Sequence, residues 1–131
     1  MTEKPVQRQY VLDAGALIAL ERNNPKVGAL LKVAARQRIE MVLPSVVLAQ
    51  VWRDGARQAL LARALRNPAI IEAPLHHEDA KRVGELLGGS GTADVADAHV
   101  VVLASRLQSP VITSDPSDIS TLNPKLRIVC A

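Results

Sequence analysis

Phenylalanine is missing from this 131-residue chain, and its aromatics come to one tryptophan, Trp52, and one tyrosine, Tyr10. Domains that stack unpaired bases on aromatic platforms need more rings than that, which argues against recognition of the RRM or OB type. Cysteine is equally scarce. Cys130 is the sole thiol, so no disulfide can close within the chain and a reducing cytoplasm is the expected setting. No apolar run approaches the roughly 20 residues that cross a bilayer. The opening "MTEKPVQRQ" is polar rather than a basic-then-apolar leader, so the chain reads as unsecreted, with no membrane partner. There is no glycine-rich phosphate loop and no serine or cysteine nucleophile motif, which sets aside P-loop chemistry and covalent catalysis. Internal repeats, low-complexity tracts and linkers are also lacking, so residues 1–131 read as one domain.

What is present is hydrocarbon in short pieces. Hydrophobic residues make up 48% of the chain, enough for one core without disulfides or structural metal. Apolar runs predict strands at Tyr10–Leu12, Ile39–Leu43, Ala69–Ala73, Val111–Thr113 and Arg127–Val129. Between them the spacing predicts helices over Ala14–Arg22, Pro25–Arg36, Ser45–Arg53, Gln58–Arg66, Glu78–Leu87 and Ala93–Leu107. Pro25 suits a first helical position, Ser45 an N-cap, and "GGSGT" breaks the chain before a Thr92 cap. Alternating strands and helices imply parallel βαβ units, hence an α/β domain of three layers, α/β/α, around a mostly parallel sheet of four to five strands.

Several carboxylates sit against this apolar grain. Asp13 closes the first strand in "YVLDAGALIAL", and Asp115 closes another in "PVITSDPSDI", with Asp118 three residues on. Parallel sheets bind ligands beyond the carboxyl ends of their strands, and both acids emerge there. Each alone could simply cap the helix after it. Asp94 and Asp97, in "TADVADAHVVVLAS", make that reading harder. Their i,i+3 spacing places them on one face, and the residues that follow are apolar on nearly every side, which marks a buried helix. The helix dipole offsets only about 0.3–1 kcal/mol of the repulsion. Gln50, in "PSVVLAQVWR", interrupts another apolar helix and can reach the same edge, although a buried amide bonded to backbone is the plain alternative. Acids gathered this way call for a divalent cation. Oxygen-only ligands favour Mg²⁺ or Mn²⁺ over zinc, and metal-assisted phosphodiester hydrolysis becomes the leading chemistry.

The remaining polar residues are less telling. Net charge is +3. Arg53, Arg57, Arg63 and Arg66 fall in one stretch with no acid after Asp54, a candidate RNA-binding face or a solvated helix surface. His76 and His77 begin a helix with acids following and read as a solvated first turn. His99 lies roughly opposite Asp97 on its helix and reads as packed or at the surface.

Four segments in order, "VLDAGALIAL", "LPSVVLAQVWR", "TADVADAHVVVLA" and "VITSDPSDI", together resemble a PIN domain, and more closely the VapC toxin of VapBC toxin–antitoxin pairs. The resemblance covers nearly the whole chain. It implies a Mg²⁺-dependent endoribonuclease acting on RNA such as tRNA or rRNA, a homodimer, and a cognate VapB-like antitoxin that blocks the site, often with an arginine. By position, Asp13 matches the first acid, Asp97 the acid before the small-apolar helix, Asp94 a helper one turn earlier, and Asp115 the acid of the late segment. Asp13, Asp97, Asp115 and Asp94 would then hold the metal. Gln50 stands where the family usually has glutamate, so the site is one charge short, and a catalytically weakened RNA- or protein-binding module is the alternative. A phosphoacceptor receiver domain is disfavoured because "VITSD" offers no lysine after its strand.

Overall fold

Strands of three to five residues, each flanked by helix, define the molecule in the computed structural model, which describes residues 8–91 and 94–130. In chain order these are β1 (Gln9–Leu12), α1 (Ala14–Glu21), α2 (Pro25–Gln37), β2 (Glu40–Pro44), α3 (Ser45–Val51), α4 (Ala59–Ala64), β3 (Ile70–Ala73), α5 (His77–Ser90), α6 (Val95–Leu107), β4 (Val111–Thr113), α7 (Pro116–Leu122) and β5 (Ile128–Cys130). The strands form one sheet in the order β3-β2-β1-β4-β5, and every pairing is parallel. The expected α/β fold of three layers with a parallel sheet is what the chain adopts. From β1 the chain builds outward through β2 to β3, then returns to the other side of β1 for β4 and β5. The order therefore reverses between β1 and β4, and that junction is where such sheets open a binding crevice.

Burial follows from the pattern of apolar residues. Val11, Leu12, Val111 and Ile112 are fully buried, as central strands covered on both faces must be. Helix α6 is apolar nearly all round, and Ala98, Val100, Leu103 and Ala104 are sealed within the core. At its far end it stops on Gln108, which takes a left-handed conformation at φ 51°. Helix α5 runs through both Gly88 and Gly89 before Gly91 ends it at φ 71°, a conformation glycine adopts without steric cost.

Several details depart from the expectations, among them an additional helix, α7. Pro44, not Ser45, is the cap residue of α3 and offers no side-chain bond, so Ser45 is the first helical residue. Asp94 caps α6, accepting the Asp97 N–H at 2.9 Å; the expected Thr92 cap lies outside the described residues. Helix α3 also ends two residues early, because the amide of Gln58 reaches its end. Gln58 Oε1 accepts the N–H groups of Arg53 and Asp54 at 2.7 and 3.0 Å, and its Nε2 donates to the Val51 carbonyl at 2.9 Å. This buried side chain, rather than Gln50, is the amide satisfied by backbone.

Candidate active site

Asp13 and Asp115 leave the carboxyl ends of β1 and β4, the two strands at the reversal. Asp13 caps α1: its Oδ1 accepts the Ala16 N–H at 2.9 Å, and its side chain is almost wholly buried. Asp115 caps α7, accepting the Ser117 N–H at 3.3 Å and the Ser117 hydroxyl at 2.7 Å, and is exposed. Thr113, fully buried at the end of β4, joins the two. Its hydroxyl hydrogen-bonds the Asp13 carboxylate and accepts the Asp115 N–H at 3.0 Å. Gly15 permits this arrangement. A Cβ there would stand 2.5 Å from Ser114 Oγ, 3.1 Å from the Ser114 backbone nitrogen and 3.3 Å from Asp13 Oδ1. The first turn of α1 thus lies directly on the β4–α7 turn.

The opening turn of α6 brings the second pair of acids to the same place. Asp97 is half-buried, and it feels the negative charge of Asp94, Asp118 and Asp13. Burial and then those neighbours push its carboxyl up to about 6. Burial chiefly, opposed by the Thr113 hydroxyl and the Ala16 and Gly15 amides, also raises the Asp13 carboxyl, with Asp115 adding to the rise. The consequence for stability has a definite sign. Between 3.8 and about 6 the folded chain holds a proton on Asp97 that the unfolded chain releases, so stability from this group is present at acid pH and lost as pH rises through about 6. Asp97→Asn removes that dependence. We expect the variant to melt higher than the native chain near neutral pH, by about 4 °C for each 1 kcal/mol of relieved repulsion. The difference should shrink as pH falls below about 6 and vanish only below about 3.8. Thermal unfolding of both proteins across this range, without divalent ions, is the check; a difference that does not vary with pH would contradict the electrostatic origin.

Two further predicted residue groups line surface grooves. Gln50, on the last turn of α3, is exposed and lines a groove of about 560 Å³ with Ala14, which follows Asp13, and with Ile18 and Arg22. The four arginines do not form one face. Arg53 and Arg57 border that same groove, where the Arg53 guanidinium donates to the Ala49 and Trp52 carbonyls and Arg57 pairs loosely with Asp54 at 3.8 Å. Arg63 and Arg66 border a different groove, of about 580 Å³, whose floor includes Leu20, Leu31 and Leu60.

The family profile described as "PIN domain" matches residues 10–120, which takes in all of these acids and most of the sheet. The chain belongs to the PIN domain family. Solved structures agree on the fold. The chain is similar to that of VapBC2 from Rickettsia felis bound to a DNA fragment from their promoter, with a TM-score of 0.72 at 16% identity, covering 93% of this chain and 98% of that one. It is also similar to PAE2754 from Pyrobaculum aerophilum (TM-score 0.64, 17% identity, 93% and 84% covered). FitAcB from Neisseria gonorrhoeae is a third (0.62, 16%, 91% and 95%). No curated protein matches the chain in sequence.

PIN domains are nucleases that generally use divalent metal ions, and the donor set here suits one. It is built of carboxylate oxygens alone, the ligands that hard cations take, and two of its carboxyls are raised, chiefly by burial and further by the neighbouring acids. Among the described residues no three Asp, Glu, His or Cys side chains close around one point. Mg²⁺ does not require that, since it is usually held by one or two carboxylates and keeps several waters. The histidines stand outside this PIN site. His76 and His77 are exposed at the start of α5. His99 is fully buried against Asp79 of α5, 3.9 Å from its Oδ2, and burial holds its imidazole below the usual range. Thr113 is the site residue that sequence reasoning passed over. Its signal was a hydroxyl in a strand whose other residues, Val111 and Ile112, are purely apolar.

Proposed function

We propose that this PIN domain is a metal-dependent endoribonuclease and the toxin member of a VapBC-like pair. The observation that carries the reading is that Asp13, at the sheet reversal, lies near enough to feel the charge of Asp115 and to act on Asp97, with the Asp13 and Asp97 carboxyls raised chiefly by burial and further by neighbouring acids. Asp13 and Asp97 would hold Mg²⁺ or Mn²⁺, with Asp94 and Asp115 alongside. When bound, such an ion neutralises the scissile phosphodiester and makes water a competent nucleophile. Asp13 is fixed by the Ala16 amide and Thr113, so it is preorganised for that role. A homogeneous preparation should cut RNA, tRNA or rRNA among the substrates to try, only when Mg²⁺ or Mn²⁺ is added, and its expression should slow growth. Failure of both would overturn the proposal.

The partner reading draws on the second groove. Its apolar floor carries Leu20, Leu31 and Leu60, and its rim carries Lys32, Arg63 and Arg66. An amphipathic segment with acidic flanks is complementary to it, and a VapB-like antitoxin of that kind is the proposed occupant. A homodimer belongs to the same reading, as does a cytoplasmic setting. No helix among the described residues is long and apolar enough to cross a membrane.

Gln50 favours a second reading, a PIN module that binds RNA or protein without cutting. The two separate on one variant. If the chain is a nuclease in which Gln50 orients substrate or water from the neighbouring groove, native activity is substantial and Gln50→Glu changes kcat/KM by less than about tenfold, some 1.4 kcal/mol. If chemistry has been lost with the glutamate, native cleavage is near zero and Gln50→Glu restores it. Initial rates on one RNA substrate decide between them.

A further inference from the structure

The sheet is charged with opposite sign at its two edges. Acids occupy the carboxyl edge, as described. At the amino edge the chain leads into its strands through cations. Arg8 immediately precedes β1, Arg38 stands two residues before β2, and Arg127 immediately precedes β5 with Lys125 two residues earlier. All four are exposed. Among the described residues the ion pairs involve Arg57, Arg106 and His99 instead, so these four cations face solvent without an acidic partner. Glu40, which begins β2, is half-buried and engages the amide of Gln9 at 3.4 Å.

The backbone fixes where these side chains start. The Arg8 carbonyl accepts the Glu40 N–H at 3.0 Å, and the Arg127 carbonyl accepts the Val111 N–H at 2.9 Å. Because β1, β4 and β5 are neighbours, Arg8 and Arg127 start two strand spacings apart, about 10 Å. Both line a hollow of about 460 Å³ that also takes in Tyr10 and Gln108. Four cations spread over the starts of β2, β1 and β5 span more than one phosphate group would occupy. Protein interfaces have apolar centres and are depleted in lysine, which this edge does not match. A chain of phosphates does match it.

We propose that the amino edge is a second nucleic-acid contact, which grips phosphates of a folded RNA whose scissile segment lies at the acids of the opposite edge. The choice of RNA rests on the nuclease reading above. The four residues of β1 separate the two edges by about 13 Å, so a folded RNA can turn from one to the other.

The test is binding of a labelled stem–loop RNA over a salt series, with divalent ions chelated so that the result does not depend on whether the chain cleaves. A variant carrying Arg8→Gln, Lys125→Gln and Arg127→Gln should bind at least tenfold more weakly at about 0.1 M salt. The slope of log affinity against log salt should become shallower by about 2, as three lost phosphate contacts require. A variant carrying Arg8→Lys and Arg127→Lys keeps the charge and should stay within about threefold of native. Circular dichroism and melting of each variant show that the fold is retained. Unchanged affinity and slope in the glutamine variant would overturn the proposal. So would duplex DNA of the same sequence binding as tightly as RNA and weakening in parallel, since the face would then not be selecting RNA.

Discussion

Asp13→Asn is expected to abolish metal-dependent RNA cleavage while leaving the protein folded and no less stable. The two halves of this result come from different properties of one side chain. Asparagine is nearly isosteric with aspartate and caps helices as well, so the bond from the Ala16 N–H to the side-chain oxygen persists. The variant also relieves the burial of a charge, which is the main reason the Asp13 carboxyl is raised. What it removes is the anionic oxygen at the point where β1 meets β4. Loss of a preorganised group that acts on the transition state costs roughly 10²–10³-fold, and loss of the cation with it would cost more. Single-turnover cleavage and thermal melting, measured on one preparation, test both halves. A variant that melts like the native chain and still cuts within tenfold of it would remove Asp13 from the chemistry.

The second large effect is expected far from the acids, in the clamp between α5 and α6. Asp79 is buried in the first turn of α5, and the Arg106 guanidinium reaches it from the last turn of α6, with Nη2 3.1 Å from Oδ2. Each charge suits the helix end it occupies. Among the described residues the other ion-pair partner of this carboxylate is the imidazole of His99, whose two nitrogens have no hydrogen-bond partner there. Arg106→Ala therefore strands a buried carboxylate, for which about 3–5 kcal/mol is typical. Arg106 is 44% exposed, water can follow into its place, and roughly 2–3 kcal/mol is the better expectation. The same substitution made in an Asp79→Ala background should cost under about 0.5 kcal/mol, because no charge is then left unpaired. Urea unfolding of the four proteins closes the cycle, and equal costs in both backgrounds would refute the clamp.

How far the residues alone led depended on whether the deciding interaction was local. The acids were legible because each closes an apolar strand or opens an apolar helix, and a carboxylate in either place needs a reason. The parallel sheet was legible from alternating patterns, although its reversal between β1 and β4 emerges only from pairing. Helix α7 was not foreseen. Its sequence, "PSDISTL", is rich in residues whose side chains compete with the backbone, and it is held by Asp115 at its cap and Ile119 in the core. The arginines from 53 to 66 look contiguous on paper, yet the extended backbone at Trp52 and the Gln58 staple divide them between two grooves. Asp79 and Arg106 lie 27 residues apart, and no local pattern announces such a pair. Gln50 stands out in the sequence as a polar residue in an apolar helix, but the groove it lines with Ala14, Ile18 and Arg22 depends on how α3 packs on α1.

The empty space at position 15 has a mechanical consequence. With no side chain between them, the start of α1 and the β4–α7 turn touch backbone to side chain, and Thr113 ties the acids they carry. Asp13 and Asp115 are therefore tied to each other and to the centre of the sheet. Asp94 and Asp97 ride on α6, held to α5 at its far end by Arg106. The start of α6 is itself seated in the protein interior, with Ala96 and Ala98 buried on either side of Asp97, so the acids of both elements are held in place before anything binds between them.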